Sequence, residues 1–252
     1  MGAIVQIRDV SLRYSDGMES LSHITLNIVE HAVNVLFGPS GGGKSSLLRM
    51  LDRLNDLADV AEVEGEILYR GQNILNSNTD VIDLRRRVGM VFSRPAPLPL
   101  TVYENIAYGL RLMGEKRKSV LDDRVEQALR LAVLWDEVYD RLNDPGNAIS
   151  GGQQQRLCLA RVLALEPEII MLDEPTSALD PVSTAKIESL IDDLTDKFTI
   201  ILAPHNVQQA ARTADYAAFF LQGKLVEYGE GKTLFVNPQR KETQDYVTGR
   251  FG

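Results

Sequence analysis

The sequence predicts an α/β fold: a core of largely parallel strands interrupted by a helical insert, with further strands and turns near the N-terminus. Three observations carry this. Short apolar runs at residues 33–37, 88–92, 168–172 and 198–202 read as strands buried on both faces. Helical patterns alternate with them at 44–56, 153–165 and 181–196. Between residues 93 and 150 the β character stops. Pro95, Pro97 and Pro99 break regular structure, and from 101 to about 141 the spacing is helical and amphipathic, with Val125, Ala128, Leu129 and Ala132 on one face. The expected organisation is one domain over 1–252, with 1–92 and 151–252 as α/β core and β part and 93–150 as the insert.

Each element has a local reason. Residues 3–7, 24–28 and 65–69 have the short β-branched character of strands, with turns at Ser15, Asp16 and Gly17 and at Arg70 and Gly71. Leu47, Met50, Leu51 and Leu54 form the stripe of the 44–56 helix. Asn143, Asp144, Pro145 and Gly146 close the insert with a turn. Asp180 is the expected N-cap of the 181–196 helix, with Pro181 at its first position and Ile187, Leu190, Ile191 and Leu194 as its buried stripe. Residues 216–221 and 225–228, joined at Gln222 and Gly223, read as a terminal hairpin.

Composition narrows the function classes. The chain has 252 residues, 44% hydrophobic and 25% charged, enough for a large core. A net charge of −8 argues against nucleic acid as the main partner. Cys158 is the single cysteine, so no internal disulfide framework exists, and its apolar surroundings predict a small buried side chain. No apolar run reaches the roughly 18 residues of a membrane helix, and the N-terminus lacks a signal-peptide pattern, so the expected location is cytosolic. The basic runs Arg85, Arg86, Arg87 and Lys116, Arg117, Lys118 read as solvated faces. His23 and His31 read as surface residues.

Three motifs carry chemistry. Gly38, Pro39, Ser40, Gly41, Gly42, Gly43, Lys44 and Ser45 have the spacing of a phosphate-binding loop, between a strand and a helix as that motif requires. Glycines let backbone N–H groups wrap a polyphosphate, the helix N-terminus favours the anion, Lys44 reaches the β- and γ-phosphates, and the Ser45 hydroxyl suits Mg²⁺. The apolar run 169–172 ends in Asp173 and Glu174. Asp173 is the expected carboxylate beside the nucleotide's Mg²⁺, and Glu174 the base for an attacking water. Ser150, Gly151, Gly152 and Gln153 open a helix and form a second anion site. One nucleotide needs one phosphate loop, so the second site suggests a nucleotide held by another subunit.

Together these motifs resemble the nucleotide-binding subunits of ABC transporters, over essentially the whole chain. The segments 134–137, 150–158, 205–212 and 245–252 are similar to the ATP-binding subunit of the bacterial phosphate-specific importer. The resemblance implies a RecA-like P-loop NTPase core with an antiparallel β subdomain and a helical subdomain over 93–150 that receives a membrane subunit. It implies ATP and Mg²⁺ as ligands and Ser46 as the last residue of the ATP loop. Tyr14 is implied to stack on adenine, His205 to hydrogen-bond the γ-phosphate, and Ser177, Ala178, Leu179 and Asp180 to form a loop across a dimer. Implied partners are a second copy, two permease subunits and, indirectly, an extracytoplasmic phosphate-binding protein. The implied place is the cytoplasmic face of the inner membrane.

Three departures from the family pattern stand out. Ser93 occupies the place of a glutamine that helps hold Mg²⁺ and the attacking water, and a serine reaches the metal only through water. Pro204 replaces a threonine before His205, biasing Ala203 toward extended geometry. Gly42 and Thr176 stand where cysteines are common in the phosphate subfamily. Two alternatives share the motifs: a non-transport ABC protein, and a subunit that binds ATP but hydrolyses it slowly because of Ser93. Transport of another oxyanion is equally compatible with the residues.

Overall fold

Hydrophobic patterning sorts the strands into two sheets. The computed structural model describes residues 2–177 and 179–250. The chain runs β1 (Ala3–Tyr14), β2 (Glu19–Val29), β3 (Val33–Phe37), α1 (Lys44–Leu51), a 3₁₀ turn (Leu54–Leu57), β4 (Val60–Tyr69), β5 (Gln72–Asn73), α2 (Val81–Arg87) and β6 (Val88–Val91). Helices α3 (Val102–Leu112), α4 (Lys118–Leu131) and α5 (Trp135–Val138) follow, all inside the predicted insert. Then come α6 (Gly151–Leu163), β7 (Ile169–Asp173), α7 (Pro181–Leu194), β8 (Thr199–Ala203), α8 (Val207–Thr213), β9 (Tyr216–Leu221), β10 (Lys224–Glu230), α9 (Gly231–Val236) and α10 (Lys241–Val247).

The larger sheet has the order β10-β9-β3-β8-β7-β6. Its strands are parallel except for β10, which returns antiparallel beside β9. Every residue of β3, β7 and β8 is buried. Val35, Phe37, Ile170, Leu172, Ile200 and Leu202 face a core built with α3, α4, α6 and α7. Leu36, Ile169, Met171 and Ile201 face the opposite core, built with α1 and the N-terminal strands. Two buried faces explain why these strands read as unbroken apolar runs. The terminal hairpin turns through Gln222 and Gly223, both left-handed, as a tight two-residue connection requires.

The smaller sheet, β2-β1-β4-β5, is antiparallel. Its strands are longer than the sequence suggests, because paired irregularities interrupt the alternation. In β1 the buried residues run Val5, Ile7, then Val10 and Leu12, and in β2 Leu21, then Ile24, Leu26 and Ile28. Asp9 and His23 sit at these breaks with positive φ, and the His23 ring nitrogen Nδ1 lies 2.8 Å from the Asp9 carboxylate. Each bulge adds one residue and moves the apolar set back to the core face. Gly65 lies against the Asp9 carbonyl, where a Cβ would come within 2.3 Å of the oxygen. It therefore marks the middle of β4, where the sequence reading placed the strand's start.

Helix 44–56 is also shorter than expected. Arg53 takes left-handed backbone, and a 3₁₀ turn replaces the last helical turn. From α2, Arg85 donates to the carbonyls of Asp52 (3.0 Å) and Arg53 (2.9 Å), which satisfies the end of α1. Arg85 is thus a capping residue and not a solvated one. Arg86 and Arg87 remain partly exposed in ion pairs with Asp83, and Arg87 also with Glu168. The expected stripes of α4 and α7 are buried, Asp180 caps α7, and Cys158 is buried.

Asp52 is buried beside this junction, and burial pushes its carboxyl up to about 6, against the opposing pull of the Leu54 amide and Arg85. A raised carboxyl holds its proton more tightly in the folded chain. That contribution to stability is present below the unfolded value and is lost as pH rises through the folded one. Asp52→Asn is expected to raise stability by about 1–3 kcal/mol near pH 7.5, with the gain shrinking toward about pH 4.5. Urea midpoints of both proteins at the two pH values check this, and a pH-independent difference would refute the burial argument.

Candidate active site

A sheet buried on both faces leaves its strand ends as the place for charged chemistry. The carboxyl ends of β3, β6, β7 and β8 share one edge of the parallel sheet, and the loops after them carry the predicted groups. The 38–43 loop leaves β3 through Gly38, whose φ is 137°. A Cβ there would lie 2.0 Å from the Phe220 carbonyl oxygen at the end of β9. Gly43, also left-handed, starts α1 without a side-chain cap, so the first N–H groups of that helix have no side-chain acceptor there.

Lys44 is 7% exposed, and its Nζ donates to the carbonyls of Gly38 (2.8 Å) and Pro39 (2.9 Å). Burial lowers its pKa, while Glu174 and Asp173 pull it upward. The Ser45 hydroxyl donates to Asp173 Oδ1 at 3.0 Å, joining the loop helix to the end of β7. A hydroxyl and a carboxylate at this spacing form a hard-oxygen donor pair, suited to a divalent cation whose other ligands are phosphate and water. Tyr14 ends β1 with its hydroxyl 3.3 Å from Ser46 Oγ, which also accepts from Ser20 Oγ at 2.7 Å. The aromatic ring is thereby fastened to the first turn of α1.

Glu174 follows Asp173 in left-handed backbone, with φ 47°, and its N–H donates to the Ala203 carbonyl (2.8 Å). A glutamate held there costs about 1–3 kcal/mol relative to relaxed backbone, so the fold holds this turn against its local preference. Its carboxylate lies 3.9 Å from His205 Nδ1. Gln209, on α8, is the residue the sequence reading missed. Its side-chain oxygen accepts from Thr176 Oγ1 (3.4 Å) and from the His205 N–H (3.3 Å), joining the Glu174 turn to the His205 loop. Gln209 lies inside the 205–212 segment, but nothing in a glutamine's spacing announces such a contact. Ser177, Leu179 and Asp180 continue from this turn into α7, and Ala178 lies outside the described residues.

Ser93 follows β6 by two residues, and its side chain makes no hydrogen bond among the described residues. The residue before it is anchored: the Phe92 carbonyl accepts from Gln155 Nε2 at 2.8 Å. The Ser150 turn stands apart. No hydrogen bond or ion pair joins residues 150–153 to the 38–46 loop or to Asp173 and Glu174 among the described residues. It forms a complete capping box, in which the Gln153 N–H donates to Ser150 Oγ (3.3 Å) and the Ser150 N–H to Gln153 Oε1 (2.9 Å). Three clusters are therefore brought together (the loop, the end of β7 and the His205 loop), while the second anion site is held elsewhere on the surface.

Comparison with known proteins bears on the family and the fold. The family model described as ABC transporter matches residues 21–177. The chain is 55% identical over 248 residues to the phosphate import ATP-binding protein PstB of Pseudoalteromonas translucida (strain TAC 125), covering 98% of this chain and 90% of that one. It is 54% identical to the protein of the same name from Idiomarina loihiensis, covering 98% and 91%. Among solved structures, cbiO1 from Clostridium perfringens, part of the ABC transporter complex cbiONQ, superposes with a TM-score of 0.82 at 27% identity, covering 94% of this chain and 92% of that chain. A dimeric ATP-binding cassette in a post-hydrolysis state, bound to ADP and Pi, superposes with a TM-score of 0.79 at 29% identity, covering 90% and 99%.

The loop geometry gives a physical reason for the motif's fixed first glycine, Gly38, against the free position at Gly41. Gly41 is left-handed but has open space around its Cβ position, whereas Gly38 meets the Phe220 carbonyl. Gly41→Ala is expected to cost about 1 kcal/mol of stability and Gly38→Ala about 3 kcal/mol or more. Urea unfolding of the two variants checks the order, and equal losses would refute the role assigned to the close approach.

Proposed function

This chain belongs to the ABC transporter family, and from that premise we propose that it is the ATP-hydrolysing subunit of an importer of inorganic phosphate. The observation that carries the ATPase reading is the meeting of Lys44, Ser45, Asp173 and Glu174 at one sheet edge. Phosphate as the solute rests on the two relatives named for phosphate import, alike over nearly the full chain. A non-transport role is not favoured by those relatives.

The residues divide the work as follows. Loop amides from Gly38 to Ser46 cradle the phosphates, and Tyr14 packs against the adenine. Lys44 exchanges its Gly38 and Pro39 carbonyl partners for phosphate oxygens. Ser45 and Asp173 would hold Mg²⁺ through their oxygens, with Ser93 reaching it only through water, and the bound ion would supply charge neutralisation for phosphoryl transfer. Glu174 accepts the proton of the attacking water at its carboxylate, and His205 donates to the γ-phosphate. The left-handed turn at Glu174 and the Gln209 bridge keep these two side chains side by side. Serine at position 93 makes a slower water-positioning step the expected consequence.

The Ser150 turn gives the reading its oligomeric form. Two copies pair head to tail, each presenting residues 150–153 and the 177–180 loop to the ATP of the other. The dimeric cassette with ADP and Pi supports this pairing. Residues 93–150 act as a helical subdomain that receives one of two permease subunits, on the cytoplasmic face of the inner membrane. An extracytoplasmic phosphate-binding protein acts on the far side. No helix among the described residues is long and apolar enough to cross a membrane, so in this reading attachment comes through the permeases.

Glu174→Gln is expected to lower turnover by about 10²-fold or more, to keep ATP binding and to accumulate as an ATP-bound dimer. Steady-state ATPase assays with size-exclusion chromatography check it, and normal turnover removes Glu174 as the base. Ser93→Gln is expected to raise turnover several-fold in the same assay. Radiolabelled phosphate uptake in cells lacking this chain tests the solute. Wild type is expected to restore uptake and Glu174→Gln is not, and failure of membrane-associated wild type removes phosphate from the assignment.

A further inference from the structure

One carboxylate outside the nucleotide cluster gathers an unusual number of donors. Glu137, on α5, accepts from Arg156 Nη1 at Oε1 (3.0 Å) and from Arg156 Nη2 at Oε2 (2.8 Å). Lys186 on α7 donates to Oε1 at 2.7 Å, and Gln153 Nε2 donates to Oε2 at 3.1 Å. Arg156 is itself buried, and its guanidinium also donates to the Val133 carbonyl in the α4–α5 connection. Val133 is a β-branched residue in left-handed backbone, the costly arrangement that brings this carbonyl round. Arg156 first, then Lys186 and Gln153, hold the Glu137 carboxyl down at about 2, so it stays ionised across the working range.

The donors come from parts of the chain with a common destination. Gln153 is the last residue of the Ser150 turn and completes its capping box with the same side chain that reaches Glu137. Lys186 lies on the helix that the 177–180 loop leads into. A second contact runs alongside: a Cβ on Gly152 would come within 2.4 Å of Ser183 Oγ, and that hydroxyl donates to Asp180 Oδ2 at 2.6 Å. The turn and the start of α7 are thus clasped twice, once through Glu137 and once by close packing.

We propose that Glu137 is a positioning residue for the neighbouring copy's ATP site, fixing the Ser150 turn and, through Lys186, locking it to the start of α7 so that turn and dimer loop meet the second copy as one unit. This rests on the head-to-tail pairing proposed above. The contact touches neither the 38–46 loop nor Glu174, so its loss leaves a single chain's own ATP binding intact and weakens only closure of the pair.

Lys186→Met in the Glu174→Gln background tests this, because an exposed ion pair contributes little to folding stability. The ATP concentration giving half-maximal dimer is expected to rise about fivefold or more, with the thermal midpoint and fluorescent-ATP binding by the dilute single chain unchanged. Lys186→Arg is expected to restore the parent value, and Glu137→Gln to shift it in the same direction as Lys186→Met. Identical ATP dependence of Lys186→Met and its parent overturns the inference, as does a loss of dimer matched by a fall in thermal midpoint. Failure of the Glu174→Gln parent to dimerise with ATP overturns the pairing itself and is thereby distinguished from failure of the clasp.

Discussion

Burial of the central sheet on both faces is the constraint from which the rest of the structure follows. Strands β3, β7 and β8 have no solvent face, so a charged side chain along their length would have to be desolvated. Charge is therefore concentrated at the strand ends, and because these strands are parallel the ends fall on the same edge. Lys44, Asp173, Glu174 and His205 come from residues far apart in the chain and meet there for that reason. The cost of holding charge at the edge is met locally: Lys44 is satisfied by carbonyls of its own loop and Asp173 by the Ser45 hydroxyl.

The loop's position depends on packing behind it. Phe37, the last residue of β3, contacts Phe219 (ring centroids 5.2 Å apart) and Phe235 of α9 (4.8 Å). Tyr246 of α10 reaches both Phe219 and Phe37. The C-terminal helices thus hold the root of the phosphate loop through an aromatic cluster. The adjacent Gly38 then turns against the Phe220 carbonyl with no room for a side chain. Tight packing of this kind has low compressibility and transmits strain, so the root of the loop, the sheet edge and the C-terminal helices behave as one platform.

How much of this was legible in the sequence depended on whether a feature had a repeat. The buried strands, the stripes of α4 and α7 and the phosphate loop were legible, because each repeats a residue type at a fixed spacing or follows a motif with a mechanism. The bulges at Asp9 and His23 hid the true length of β1 and β2, since one added residue reverses the alternation. Helices α2, α8, α9 and α10 have six or seven residues each, too few for a helical period to emerge. In sequence, Arg85 reads as part of a solvated face, and Gln209 and Glu137 carry no role of their own within the 205–212 and 134–137 segments. Their roles come from long-range contacts to carbonyls, amides and a guanidinium, which no local pattern encodes.

The candidate half-sites on this chain are built in different ways, and the difference bears on how they could work together. The phosphate-loop half rests on a rigid sheet edge. The Ser150 half rests on a helix start held by an ion-pair cluster at α5. Helix α6 is common to both, because Gln155, two residues beyond the capping box, donates to the Phe92 carbonyl beside Ser93. A shift of the insert would therefore reach position 93 through one buried glutamine side chain, and a shift at position 93 would return by the same route. Buried Leu157, Leu159, Ala160 and Leu163 hold α6 in the core as well, so the Gln155 link belongs to a packed helix and carries strain between the two half-sites.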